Sequence, residues 1–155
     1  MKIKGWCHYY IGAGLFFSGI AAWHPRLHEL SMRQLQRAAD ANIDKALLLI
    51  GQLLSYKGLT LYNKVAGVEY LKTLADKGHA QGCFMLAEAY NNPELILAKI
   101  EENHVAQLYE TAAQQGHLMA ALRLSRAFKQ GLYGLEVNTE KSEYWHQIFI
   151  KASNI

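Results

Sequence analysis

A chain of 155 residues has the length of one domain and can bury a real core. With 51% hydrophobic and 19% charged residues it is composed like a folded protein, which excludes intrinsic disorder. A net charge of +3 is too mild for the footprint of a nucleic-acid binder, and the seven histidines add to it only below about pH 6.

The first element, MKIKGWCHYYIGAGLFFSGIAAW, reads two ways. Lys2 and Lys4, an apolar stretch and the small residues Ala21 and Ala22 have the order of a signal peptide, which would place the protein in the periplasm. The same segment also falls in register with everything downstream as the first helix of a repeat, which places the protein in the cytoplasm. As a membrane span it is short of the ~20 residues required and carries His8 and several glycines.

Further along, three phrases resemble one another: RAADANIDKA, TLADKGHAQG and TAAQQGHLMA. Their anchors Ala39, Ala75 and Ala113 stand 36 and 38 residues apart, each followed by Asn42, Gly78 or Gly116. A fourth step lands at Ile150, with Ser153 at the glycine position. Asparagine and glycine accept a left-handed backbone cheaply, so these positions predict helix stops. Just after each stop a second phrase recurs: CHYYIGAGLFFSG, ALLLIGQLLSYKG, GCFMLAEAYNNP and AALRLSRAFKQG.

The first residue of that phrase is small (Cys7, Ala46, Gly82, Ala120), and four positions on stands Ile11, Ile50, Leu86 or Leu124. The next residue is small again (Gly12, Gly51, Ala87, Ser125), and a large apolar residue follows (Leu15, Leu54, Tyr90, Phe128). That spacing marks one face of an α-helix, with small residues that let a neighbour approach. The unit is helix A, loop, helix B and tight turn. It predicts an all-α chain: a right-handed α/α solenoid of about four helix-turn-helix repeats in one domain, 1–155, with repeats near 7–42, 43–78, 79–116 and 117–153. Only two prolines interrupt it, and Pro25 suits the first turn of a helix B.

These residues resemble the Sel-one-like repeat, a subclass of the tetratricopeptide-like solenoids. The closest stretch is AALRLSRAFKQGLYGLEVNTEKSEYWHQ, where Gly131, Gly134, Lys141 and Trp145 sit near family positions, and AAQQGH and LADKGHA match the helix B ending. Two loops depart from the family pattern, IAAWHPRLHELSM in the first repeat and NNPELILAKIEENHVAQ in the third. The resemblance implies that helix A lines a concave face that holds a protein or peptide.

Chemistry-bearing residues give no competing reading. His24 and His28 have no third metal ligand nearby, and His79 and His117 occupy equivalent repeat positions. His104 and His146 have no partner visible in the sequence, and the adjacent Glu101 and Glu102 point apart on a helix. Cys7 and Cys83 read as small buried thiols, because a bridge would require the first and third repeats to touch. No hydrolase, zincin or phosphate-loop motif is present, and Gly12 to Gly14 follow no strand. The expectation is a non-enzyme with no cofactor, no metal, no nucleic acid and no small-molecule substrate.

The helix A side away from the packing stripe carries Tyr10, Ala13 and Phe17, then Leu49, Gln52 and Tyr56, then Met85, Glu88 and Asn92, then Arg123, Arg126 and Gln130. This predicts a groove that runs from aromatic to basic, in which Arg123 and Arg126 pair with a partner's acidic groups. Tyr10 and Phe17 also fit a homodimer formed through terminal repeats that lack polar caps. The functional expectation is a bacterial adaptor or scaffold, with an immunity protein that neutralises a secreted antibacterial toxin as the alternative.

Overall fold

The computed structural model describes residues 2–93 and 102–153. Among them are nine helices and no strand: α1 (Lys2–Phe17), α2 (Ile20–Trp23), α3 (Pro25–Asp40), α4 (Asp44–Lys57), α5 (Leu61–Ala75), α6 (Ala80–Tyr90), α7 (Glu102–Gln114), α8 (Leu118–Gln130) and α9 (Thr139–Ser153). Helices α1, α4, α6 and α8 are the predicted A helices; α3, α5, α7 and α9 are the B helices. The chain divides into two compact units, Met1–Leu74 and Ala75–Ile155.

In the first unit the core is built on α3 and α4, from Leu35, Ala38, Ala39, Ile43, Ala46, Leu47 and Ile50, with Ala13 and Leu74 joining from α1 and α5. Helix α3 stops as its sequence requires. Asn42 takes φ 64°, its N–H reaches the Ala39 carbonyl, and the Ile43 N–H reaches back to Ala38. Close helix approach comes from the small residues. A Cβ on Gly12 would sit 2.9 Å from Leu35, and one on Gly51 would sit 2.9 Å from Leu71. One on Gly67 would collide with the backbone nitrogen of Ser55. The Ser31 hydroxyl donates to the Gly12 carbonyl at 2.8 Å, which joins α1 to α3.

Pro25 opens α3 at its first turn, as its sequence position predicts, and the insert after α1 is taken up by α2 and α3. The first repeat corrects the expectations for Ala13, Cys7 and Ile11. Helix α1 buries Gly5, Gly12 and Ala13, so Ala13 lies in the core instead of on the open side. Cys7 and Ile11, expected in the packing stripe, are exposed. The reason is geometric. The stripe of α4 is covered by α3 and α5, whereas α1 packs on α3 and α2 from one side, and its buried arc turns toward them.

The second unit repeats the same devices. Gly78 and Gly116 end their helices at φ 72° and 86° and donate to the anchor carbonyls of Ala75 and Ala113. His79 and His117 are helix N-caps: each imidazole Nδ1 accepts the N–H of Gly82 or Ala120 at 3.3 Å. Gly131 and Gly134 also adopt positive φ and shape the loop before α9, whose N-terminus is capped by Asn138. The Ser142 hydroxyl donates to the Ser125 carbonyl at 2.9 Å, the counterpart of Ser31 on Gly12. Trp145 is buried on α9. Of the third repeat's atypical stretch, 91–107, residues 94–101, Glu101 among them, lie outside the described residues, and from Glu102 onward the stretch is part of α7.

Candidate functional site

The second unit assembles a polar cluster on one side of α6 and α8. Glu88 projects from α6, and Arg123 from α8 meets it with two N–H donors, Nε to Oε1 and an Nη to Oε2, each 2.8 Å long. A planar guanidinium matched to a carboxylate in this way is the strongest geometry such a pair adopts. Tyr109 on α7, fully buried, donates its hydroxyl to Glu88 Oε1 at 2.7 Å. Burial, reinforced by the carboxylate it donates to, holds the Tyr109 phenol well above its ordinary pKa. The hydrogen bond to Glu88 likewise raises the pKa of Arg123, so the guanidinium keeps its charge.

Tyr133 completes the cluster from the loop after α8. Its φ of 58° is left-handed, a conformation that costs a bulky L-residue about 1 kcal/mol. Two contacts hold it there. The Asn91 side-chain amide donates to its hydroxyl at 2.6 Å, and its ring lies 5.6 Å from that of Tyr109. Beneath the cluster, Phe84 stacks on His117 with ring centroids 4.2 Å apart. The His117 Nε2 meets Gln81 Oε1 at 2.9 Å, and burial lowers the pKa of the imidazole.

Of the predicted face, Glu88 and Arg123 are brought together, and Arg123 already has an intramolecular partner. Met85 and Asn92 are half-buried beside them in sequence, while Arg126 and Gln130 are exposed on α8. Arg126 also lines a groove of about 520 Å³ with Lys129, Glu143 and His146. In the first unit, Tyr10 is exposed and stacks on Trp6, and Phe17 is exposed edge-on to Phe16. Tyr56 is exposed and Gln52 half-buried on α4. An apolar groove of about 760 Å³ opens beside them, lined by Phe16, Met32, Leu53, Leu54 and Leu59 among others.

Sequence reasoning missed Tyr109, Tyr133 and Asn91. Tyr133 carried a faint signal, since it sits between Gly131 and Gly134, residues of the type that accepts a left-handed backbone. The remaining candidates have plain surroundings. His24 and His28 are exposed, and the His104 ring lies 5.9 Å from Tyr90. Both cysteines are free; Cys83 is buried, with its thiol pKa raised by that burial, and Cys7 is exposed, contrary to expectation. Among the described residues no group of three or more His, Cys, Asp or Glu is placed to hold a metal ion. None of the described helices is long and apolar enough to cross a membrane.

A solved structure described as a Sel1 repeat protein from Oxalobacter formigenes superposes with a TM-score of 0.68 over 77% of this chain and 89% of that one, at 20% identity. The fold is that of a Sel1 repeat protein. It is an all-α solenoid of helix pairs. In sequence, 63 residues are 35% identical to the chitin synthase regulator SKT5 of Saccharomyces cerevisiae, a match covering 41% of this chain and 9% of that regulator's length. No protein-family model matches the sequence.

Proposed function

We propose that the protein is a non-catalytic scaffold that holds a partner protein on the Glu88–Arg123–Tyr133 surface of its second unit. The observation that carries this reading is Tyr133. A strained backbone places an aromatic ring beside a fixed ion pair, and strain of this kind persists where the surroundings over-determine it, commonly at binding sites. Tyrosine and arginine are the residue types that dominate protein interfaces, and side chains already locked in place lose little entropy on binding. The Sel1-type fold supports the same reading, as does the partial likeness to SKT5, a regulator of chitin synthase.

In this reading Arg123 orients Glu88, and the exposed Arg126 is the cation that meets acidic groups of the partner. An adaptor within a bacterial assembly is the role we favour; an immunity protein against a toxin would use the same surface, and the partner's identity separates the two.

The test is capture from native extract on the immobilised protein at low and moderate salt, with bound proteins identified by mass spectrometry. The comparison is a Tyr133→Gly, Arg126→Glu variant shown by circular dichroism to be folded. A stoichiometric partner that binds the wild type and is lost from the variant supports the proposal. A partner that the folded variant retains contradicts it.

A further inference from the structure

Helix α1 is apolar on two opposite sides. One side, with Gly5, Gly12 and Ala13, is buried against the rest of its unit. The other carries Ile3, Cys7, Tyr10, Gly14 and Phe17, spaced alternately four and three residues apart along the helix. That is the seam pattern of helices that pair with helices. All five are exposed, and Ile11 lies alongside: Ile3 is 80% exposed, Tyr10 64%, Phe17 69% and Ile11 52%. Nothing lies within 4 Å of the place a Gly14 Cβ would occupy.

We propose that this face is a homodimer interface, in which α1 packs antiparallel against α1 of a second copy. Three observations point to a copy of this chain as the occupant. The seam alternates large and small residues, with Ile3, Tyr10 and Phe17 in one row and Cys7 and Gly14 in the other. Running antiparallel, the large row of each helix meets the small row of the other: Tyr10 fits over Gly14 of the second copy, and Phe17 over its Cys7. The pattern is therefore complementary to itself, as a twofold interface requires.

Charge selects the antiparallel sense. Lys2 and Lys4 stand at the start of α1, its first turn has no acidic residue and its last turn no basic one. A parallel pair would set lysines against lysines, whereas the antiparallel pair sets them beside the negative end of the partner helix. The area is also adequate. The exposed parts of Ile3, Tyr10, Ile11 and Phe17 amount to about 500 Å² per copy, taking about 200 Å² for a large side chain, and a stable interface needs about 1,000 Å² in total. This inference rests on the first unit alone and stands apart from the partner-binding proposal.

The experiment is sedimentation velocity on the full chain at micromolar concentrations. The dimer predicts twice the 17.5 kDa chain mass for the wild type. A Tyr10→Glu, Phe17→Glu variant, altered only at exposed positions, should sediment as a folded monomer. Orientation is read by mild oxidation. A Phe17→Cys variant should form an interchain disulfide through Cys7, while the wild type, with its two Cys7 thiols held apart, should not. A monomeric wild type overturns the proposal, as does a dimer that survives the double glutamate variant. Rapid Cys7–Cys7 cross-linking in the wild type overturns the antiparallel arrangement.

Discussion

At the scale of single residues, two side chains have roles that their identities alone do not announce. His117 caps α8 through Nδ1, which leaves Nε2 to carry the proton toward Gln81. Only the neutral ring can accept the cap hydrogen bond, and burial pulls its pKa below the ordinary 6.5. The unfolded chain therefore binds this proton first as the pH falls, and the fold loses stability progressively below about pH 6.5. Asparagine keeps a cap acceptor without titrating. A His117→Asn variant should thus lose less Tm than the wild type between pH 7.5 and pH 5; parallel declines would refute the assignment. Tyr133→Gly makes the complementary case. Relief of the left-handed strain offsets the lost ring contact, so stability should change by no more than about 1 kcal/mol in chemical denaturation. A larger loss would show that the ring is structural cement instead of a binding group.

At the scale of elements, the repeat was legible because its punctuation is constrained by backbone sterics. Asn42, Gly78 and Gly116 all occupy the left-handed region, where few residue types are tolerated, so their spacing showed through a divergent sequence. Asn42 shows what that position admits. Gly78→Asn should cost less than about 0.5 kcal/mol, while Gly78→Val, which is β-branched, should cost well over 1 kcal/mol in the same denaturation assay. The helix seams obey a different rule. A Cβ at Gly67 meets backbone, which cannot move aside as a flexible side chain can, so Gly67→Ala should destabilise by about 1–3 kcal/mol even though alanine favours helix.

The sequence was less informative about which side of a helix is covered. Periodicity reports that Cys7, Ile11 and Gly12 share an arc, but the number of neighbouring helices decides how much of that arc is buried. In α1 the answer was the half nearest α3. Likewise Glu88 and Arg123 are 35 residues apart, and their pairing depends on the facing of α6 and α8, which no local pattern encodes. The hydroxyl links from Ser31 to Gly12 and from Ser142 to Ser125 stayed hidden for the same reason.

At the scale of the whole molecule, the Sel1-type fold and its two compact units, Met1–Leu74 and Ala75–Ile155, set the question of cooperativity. We propose that 1–155 is a single repeat domain that unfolds as one cooperative unit. Thermal unfolding followed by helix signal and by intrinsic fluorescence should then give coincident single transitions. Two separated transitions would divide the chain at the unit boundary. Function turns on a different property, the preorganised protein-binding face that we assign to the second unit. Hydrogen exchange on the captured complex reads that face amide by amide. Partner binding there should slow exchange in α6, in α8 and in the loop around Tyr133. Protection confined to other segments, with those amides unchanged, would contradict it.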